Sequence, residues 1–152
     1  MNEIYFNYRS EKYNFLSNLY PVEITVVNPV SLDKTPRKYG SVEHFYQSAK
    51  YTDPELVQWI INSPTPFSAM KAGQSFSVEK IRKDWDRVKD TVMMAGLKAK
   101  FVKNEGLKEQ LVLTGDAVLH ENTSHPYWGF KGQDKLGKMI MQIRDIVKIS
   151  EW

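Results

Sequence analysis

DWDRVKDTVMMAGLKAKFVK, residues 84–103, is the stretch that decides the fold class. Trp85, Val88, Val92, Ala95 and Ala99 recur at three- and four-residue spacing, the repeat of a helix that buries one face. The spacing predicts one long helix from about Asp84 to about Lys103. Working back from it, Thr65-Pro66 and Asp53-Pro54 each place a capping side chain before a proline, the pair that opens a helix. They introduce FSAMKAG and PELVQWIIN, and Gly73 is expected to stop the first of these. Ser41 can cap SVEHFYQSAKY in the same way. Working forward, LKEQLVL reads as a shorter helix ended by Gly115 and AVLHE as a brief extended piece. DKLGKMIMQIRDIVKI closes the chain as an amphipathic helix through Leu136, Met139 or Ile140, Ile143 and Val147.

The N-terminal third reads differently. Ile4, Tyr5, Phe6 and Tyr8 favour a strand over Glu3 to Tyr8, and PVEITVVN repeats that preference over Val22 to Val27. Between them, YNFLSNLYP is an aromatic-rich loop, and NPVSLDKTPRKYG is a turn-rich connection to the helices. The expected fold is α+β, a mainly α-helical single domain over residues 1–152 with a small β-sheet near the N-terminus.

Composition narrows the function classes. A chain of 152 residues with 41% apolar and 26% charged residues can bury a core unaided. Cysteine is absent, which removes disulfides, thiolate metal sites and a cysteine nucleophile together. The opening MNEIYFNYRSEKYN lacks the apolar run of a signal peptide, and no apolar stretch reaches the roughly 18 residues of a membrane span. A cytoplasmic protein with no membrane partner is therefore expected. A net charge of +3 and a pI near 9.0 suit an anionic ligand, but so small an excess does not indicate a nucleic-acid binder.

Glu43 falls in the first turn of its helix, where free N–H groups favour an anion, and Gln47 and Lys50 follow on the same face. Carboxylate, amide and ammonium there can address one ligand. Arg9, Lys50, Lys71, Arg82 and Lys89 are the cations available to a phosphate, and KAGQS resembles a helix-end turn whose glycine admits one. Trp85 lies on the apolar stripe of the long helix. Trp128, in the glycine-flanked HPYWGFKGQ, has less reason to be core and offers a flat wall for stacking a base. His44, His120 and His125 form no HxH or HExxH pattern, and no GxSxG elbow accompanies Ser17 or Ser41. Neither a metal nor another cofactor is expected.

The order of these pieces is more specific than any of them. FLSNLYP, SVEHFYQSAKY, AMKAGQS, DWDRVKDTVMMAGLKAKF, LVLTGDAVLHE, YWGFKG and LGKMIMQIR, taken in this sequence and spacing from Tyr8 to Arg144, resemble the NADAR superfamily and its YbiA-like members. The resemblance implies the fold of that family and a pocket for ribose phosphate. For YbiA-like members it implies an N-glycosidase that hydrolyses the C–N bond between ribose phosphate and an amino-pyrimidine base in early riboflavin intermediates. Other members resemble ADP-ribosyl hydrolases that free a nucleobase, the one case in which nucleic acid would be a partner, and a non-catalytic ADP-ribose or nucleotide-binding module is a third reading. Carried over by motif, the resemblance implies catalytic positions at Asn18, Glu43 and Glu121. It also places Gln47, Lys50, Lys71, Trp85, Lys89 and Trp128 in substrate binding. Two departures stand out. An acidic residue commonly precedes the Tyr/Phe-Trp-Gly of the family, where this chain has His125 and Pro126, and Asp134 holds a place often taken by asparagine. Glu121, Asp134 or His125 is expected to substitute for the absent acid.

Overall fold

A computed structural model describes residues 2–150 of the chain. In chain order its elements are β1 (Glu3–Phe6), a 3₁₀ turn at Asn14–Leu16, β2 (Ile24–Val26), β3 (Arg37–Tyr39), α1 (Val42–Ala49), α2 (Pro54–Ile61) and α3 (Pro66–Ser75). A 3₁₀ turn at Val78–Lys80, α4 (Trp85–Phe101), α5 (Glu105–Val112), β4 (Val118–Glu121) and α6 (Lys135–Ser150) follow. Two compact units result, Met1–Tyr20 with Phe101–Trp152, and Pro21–Lys100. The α+β, mainly helical architecture agrees with the sequence expectation.

In the unit Pro21–Lys100, β2 and β3 pair antiparallel with Ile24 opposite Tyr39. β3 falls inside the segment expected to be connection only. Its three residues, RKY, carry no alternation long enough to read, and pairing with β2 makes the strand. Each helix start has its cap. Ser41 accepts from the His44 N–H, Asp53 from Glu55, and Thr65 from Ser68, whose hydroxyl accepts from the Thr65 N–H at 2.9 Å in return. All eight residues of α1 are buried, although four of them are polar or charged, and α1 packs against α2 and α3.

Gly73 does not stop α3, which continues to Ser75. Its missing side chain serves a close approach instead, since a Cβ there would come within 2.7 Å of the Gln47 Cβ and would overlap the Gln47 amide. The Tyr51 hydroxyl donates to the Gly73 carbonyl, which fixes the same crossing from the other side.

In the other unit, β1 pairs in parallel with β4, with Ile4 opposite Leu119 and Phe6 opposite Glu121. The strand near the N-terminus thus finds its partner more than a hundred residues away, and the sheet content divides into two separate two-stranded pairs among the described residues. α6 lies against β4 and buries Leu136, Met139, Ile140, Ile143 and Val147, the stripe that the sequence predicts. Gly115, at φ 65°, closes the turn after α5, where L-residues with a Cβ are strained. Lys148 donates to its carbonyl at 2.6 Å and ties the end of α6 to that turn. No helix among the described residues is long and apolar enough to cross a membrane.

Candidate functional site

α1 carries the most unusual chemistry. Glu43 is 9% exposed, and the Gln47 amide nitrogen, one turn on, donates to Glu43 Oε1 at 2.7 Å. Burial pushes the Glu43 carboxyl above the usual carboxylate value, and the Gln47 hydrogen bond and the Lys50 charge only partly oppose it. Burial likewise pulls the Lys50 ammonium below the usual lysine value, and Glu43 resists that pull. Each ion is held by the other in surroundings that disfavour both. Gln47 Oε1 is buried with no hydrogen-bond partner, an acceptor left open beside the carboxylate.

Aromatic rings close this site. Tyr46 packs on Trp85, with centroids 5.1 Å apart, and the Lys50 ammonium sits 5.8 Å from the centre of the Tyr46 ring. Trp85 is buried, as its place on the apolar stripe predicts. His44, between Glu43 and Phe45, serves the backbone. Its Nε2–H donates to the Ser63 carbonyl at 2.8 Å, and Nδ1 lies 2.8 Å from the Ser41 hydroxyl, which pins the start of α1 to the end of α2.

The other predicted cations are engaged elsewhere. The Lys71 ammonium lies over the Phe67 ring at 5.1 Å, and Lys89 donates to Asp86 at 3.3 Å. Arg82 makes a two-pronged contact with Asp84, at 2.6 and 3.2 Å, and donates to the Val30 carbonyl at 3.1 Å. Arg9 is exposed, with its guanidinium over the Tyr8 ring. The KAGQS segment is not a phosphate-admitting turn, because Gly73 lies inside α3 against Gln47. A cavity of about 590 Å³ opens between the 28–37 segment and α2, lined by Asp33, Arg37, Tyr39, Ser48, Tyr51 and Arg82 among others, and Glu43, Gln47 and Lys50 take no part in it.

In the unit that holds β1 and β4, Asn18 is buried in the turn after the first 3₁₀ segment. Glu121 ends β4, and its Oε1 accepts from the Thr123 hydroxyl at 2.7 Å. Asp134 has φ 56°, a left-handed conformation that Asn and Asp tolerate best, and its Oδ2 lies 2.6 Å from His120 Nδ1. The His120 Nε2 lies 3.5 Å from Glu3, and Tyr5 stacks on the imidazole at 4.8 Å. The sequence gives no sign of this carboxylate–imidazole–carboxylate row: the parallel pairing of β1 and β4 brings Glu3 to His120, and the turn ahead of α6 brings Asp134. Trp128 corrects an expectation: it is core, 6% exposed, in a 123–134 segment whose backbone bonds back on itself.

Comparison with known proteins identifies the family. The sequence profile of the NADAR domain matches residues 5–148. The chain belongs to the NADAR family. Within it, the chain is 31% identical over 128 residues to the N-glycosidase YbiA of Escherichia coli strain K12, covering 81% of this chain and 78% of that one. It is 30% identical over 153 residues to an N-glycosidase of Nostoc punctiforme, covering 95% and 92%. A riboflavin biosynthesis protein of Vibrio vulnificus is 30% identical over 147 residues, which are 93% of this chain but only 38% of that protein's length. The NMR structure of Escherichia coli YbiA superposes with a TM-score of 0.82 at 29% identity, over 99% of this chain and 87% of that one.

Proposed function

We propose that this NADAR protein is an N-glycosidase that hydrolyses the C–N bond between ribose phosphate and an amino-pyrimidine base, with Glu43 as its chief catalytic carboxylate. The observation that carries the reading is the buried Glu43, hydrogen-bonded by Gln47 and opposed by Lys50. Relatives named as N-glycosidases and as a riboflavin biosynthesis protein support the reaction and the substrate class.

When the C1′–N bond breaks, its electron pair leaves with the nitrogen and positive charge builds on the sugar. A carboxylate in surroundings of low dielectric stabilises that charge far better than one in water. Water then adds to C1′. Its proton passes to Glu43, whose raised pKa makes it a better acceptor than an ordinary carboxylate, and the departing nitrogen gains a proton in turn. The products are ribose phosphate with a free anomeric hydroxyl and the base as an amine. Gln47 fixes the carboxylate. Lys50 is proposed as the cation that holds the phosphate. Trp85, packed on Tyr46, is proposed to limit the space left to the base, and Asn18, Glu121 and Trp128 of the other unit enter the proposal on the family pattern alone. Arg9, Lys71, Lys89 and Asp134 are secondary, since each already has a partner within its own unit.

The test is a screen of phosphoribosylamino-pyrimidines and ADP-ribosylated bases, with products detected by mass spectrometry. Release of free ribose 5-phosphate from the small substrates is expected. Cleavage confined to ADP-ribosylated bases would transfer the chemistry to that class, and tight binding without product would leave a binding module.

A further inference from the structure

The cavity of about 590 Å³ lies wholly in the unit Pro21–Lys100, and the chemistry described so far makes no use of it. Its volume is that of a small-molecule pocket. One side is apolar, lined by Val30, Leu32, Tyr51, Pro54 and Val57, and Leu32 is fully exposed, an apolar wall left to water. The other side is polar, and most of its groups are already engaged. Arg82 is held by Asp84 and the Val30 carbonyl, the Tyr51 hydroxyl donates to the Gly73 carbonyl, and Ser48 donates to the Phe45 carbonyl at 2.9 Å. Two donors are not engaged. The Arg37 guanidinium is exposed and makes no hydrogen bond or ion pair among the described residues. Asp33 reaches it only through its field, and that carboxylate already accepts from the Thr35 N–H at 2.9 Å. Tyr39 is 4% exposed, yet its hydroxyl makes no hydrogen bond among the described residues, and burial raises it above the usual tyrosine value, so it stays protonated.

We propose that this cavity is a second binding site, for a small carboxylate with an apolar body, held by the Arg37 guanidinium and the Tyr39 hydroxyl with its body against Val30, Leu32 and Val57. Arg37 and Tyr39 stand two residues apart on β3, so both side chains leave the strand on one face, and both line the cavity. Each donates, and an oxyanion accepts from both. A hydroxyl buried without an acceptor is costly, so a ligand that supplies one gains more than surface contact. The charge on the polar side sets the class of anion. Arg82 is balanced by Asp84, which leaves one guanidinium for the ligand, while Asp33 on the same lining weighs against a second negative charge. A monoanion fits, and a phosphate monoester carries too much charge.

The site does not rest on the glycosidase reading, since Glu43, Gln47 and Lys50 do not line it. Its test is a nitrogen-15 NMR titration of the full chain with phenylacetate, a carboxylate on a flat apolar ring. Saturable shifts are expected at Arg37, Tyr39, Ser48, Thr52 and Val57, with a Kd of about 1 mM or tighter, ordinary for a ligand of about ten heavy atoms. Arg37→Gln should weaken binding at least about tenfold, because it removes the charge-assisted bonds. Tyr39→Phe keeps the ring packing and loses one hydroxyl, so a weakening of about threefold is expected. Neutral phenylacetamide and bare acetate should each bind at least about tenfold more weakly than phenylacetate, the first for want of charge and the second for want of an apolar body. Phenyl phosphate, with its second charge, should also bind more weakly. No saturable shift with phenylacetate, or a Kd that Arg37→Gln leaves unchanged, would overturn the site. Phenylacetamide, acetate or phenyl phosphate binding as tightly as phenylacetate would refute the ligand class. Shifts confined to Glu43, Gln47 and Lys50 would return the ligand to the α1 site and sink the proposal of a second one.

Discussion

α1 and the 121–134 segment both carry the polar residues that the family pattern picks out, and they treat them in opposite ways. In α1 the carboxylate and the ammonium are buried, each moved from its ordinary ionisation by loss of water. In the 121–134 segment the acids are occupied by neighbours, Glu121 by Thr123 and Asp134 by His120, and His125 caps a turn. A charge kept short of partners is suited to stabilising charge that appears during a reaction. A charge already engaged by a neighbouring side chain is suited to holding shape. On the proposed function, chemistry belongs to the first region and positioning to the second.

The largest effect should come from α1. Glu43→Gln keeps the shape and deletes the charge, so kcat for the phosphoribosylamino substrate should fall about 100-fold or more while circular dichroism stays that of the folded protein. A folded variant with near-normal kcat would reduce Glu43 to a complement of the helix start. Glu121→Gln should matter less, because its carboxylate already serves Thr123. A loss of about tenfold in kcat/KM, roughly 1.4 kcal/mol, is expected. A loss equal to that of Glu43→Gln would erase the distinction between the two regions.

The smallest effect tests how α1 is held. In an open helix, Gly→Ala gains about 1 kcal/mol. At Gly73 the added methyl meets Gln47, and such overlap costs about 1–3 kcal/mol. Urea denaturation of Gly73→Ala should therefore show a net loss of about 1 kcal/mol. A gain would mean that Gln47 moves aside freely and does not fix the carboxylate.

What the sequence revealed follows physical range. The apolar stripe of α4 and the caps at Ser41, Asp53 and Thr65 depend on residues within a few positions, and they were legible. So was the shared face of Glu43, Gln47 and Lys50. Gly73 was misjudged because its value lies in a crossing with α1 that no local pattern signals. The β1–β4 pairing, and with it the approach of Glu3 to His120, depends on contacts across more than a hundred residues. Trp128 had less reason to be core because its neighbours are glycines, yet a Cβ on Gly129 or Gly132 would strike the backbone of Thr123 or Pro126, so the glycines let the segment close on itself and the indole is buried. The departure at His125 was visible as a residue type, and only the direction of its ring showed that Nδ1 caps the turn at Tyr127 and Trp128.

The most direct test of the account is the acid limb of kcat at saturating substrate, in the wild type and in Gln47→Met. The ionised Glu43 is the working form, so activity is lost as pH falls through its folded-state pKa. Burial raises that value, which puts the midpoint of the limb above the ordinary 4.5. The Gln47 bond holds the value down, so its removal should carry the midpoint to still higher pH. A midpoint at or below 4.5, or one that Gln47→Met leaves in place, would show that the buried carboxylate of α1 is not the group that does the work.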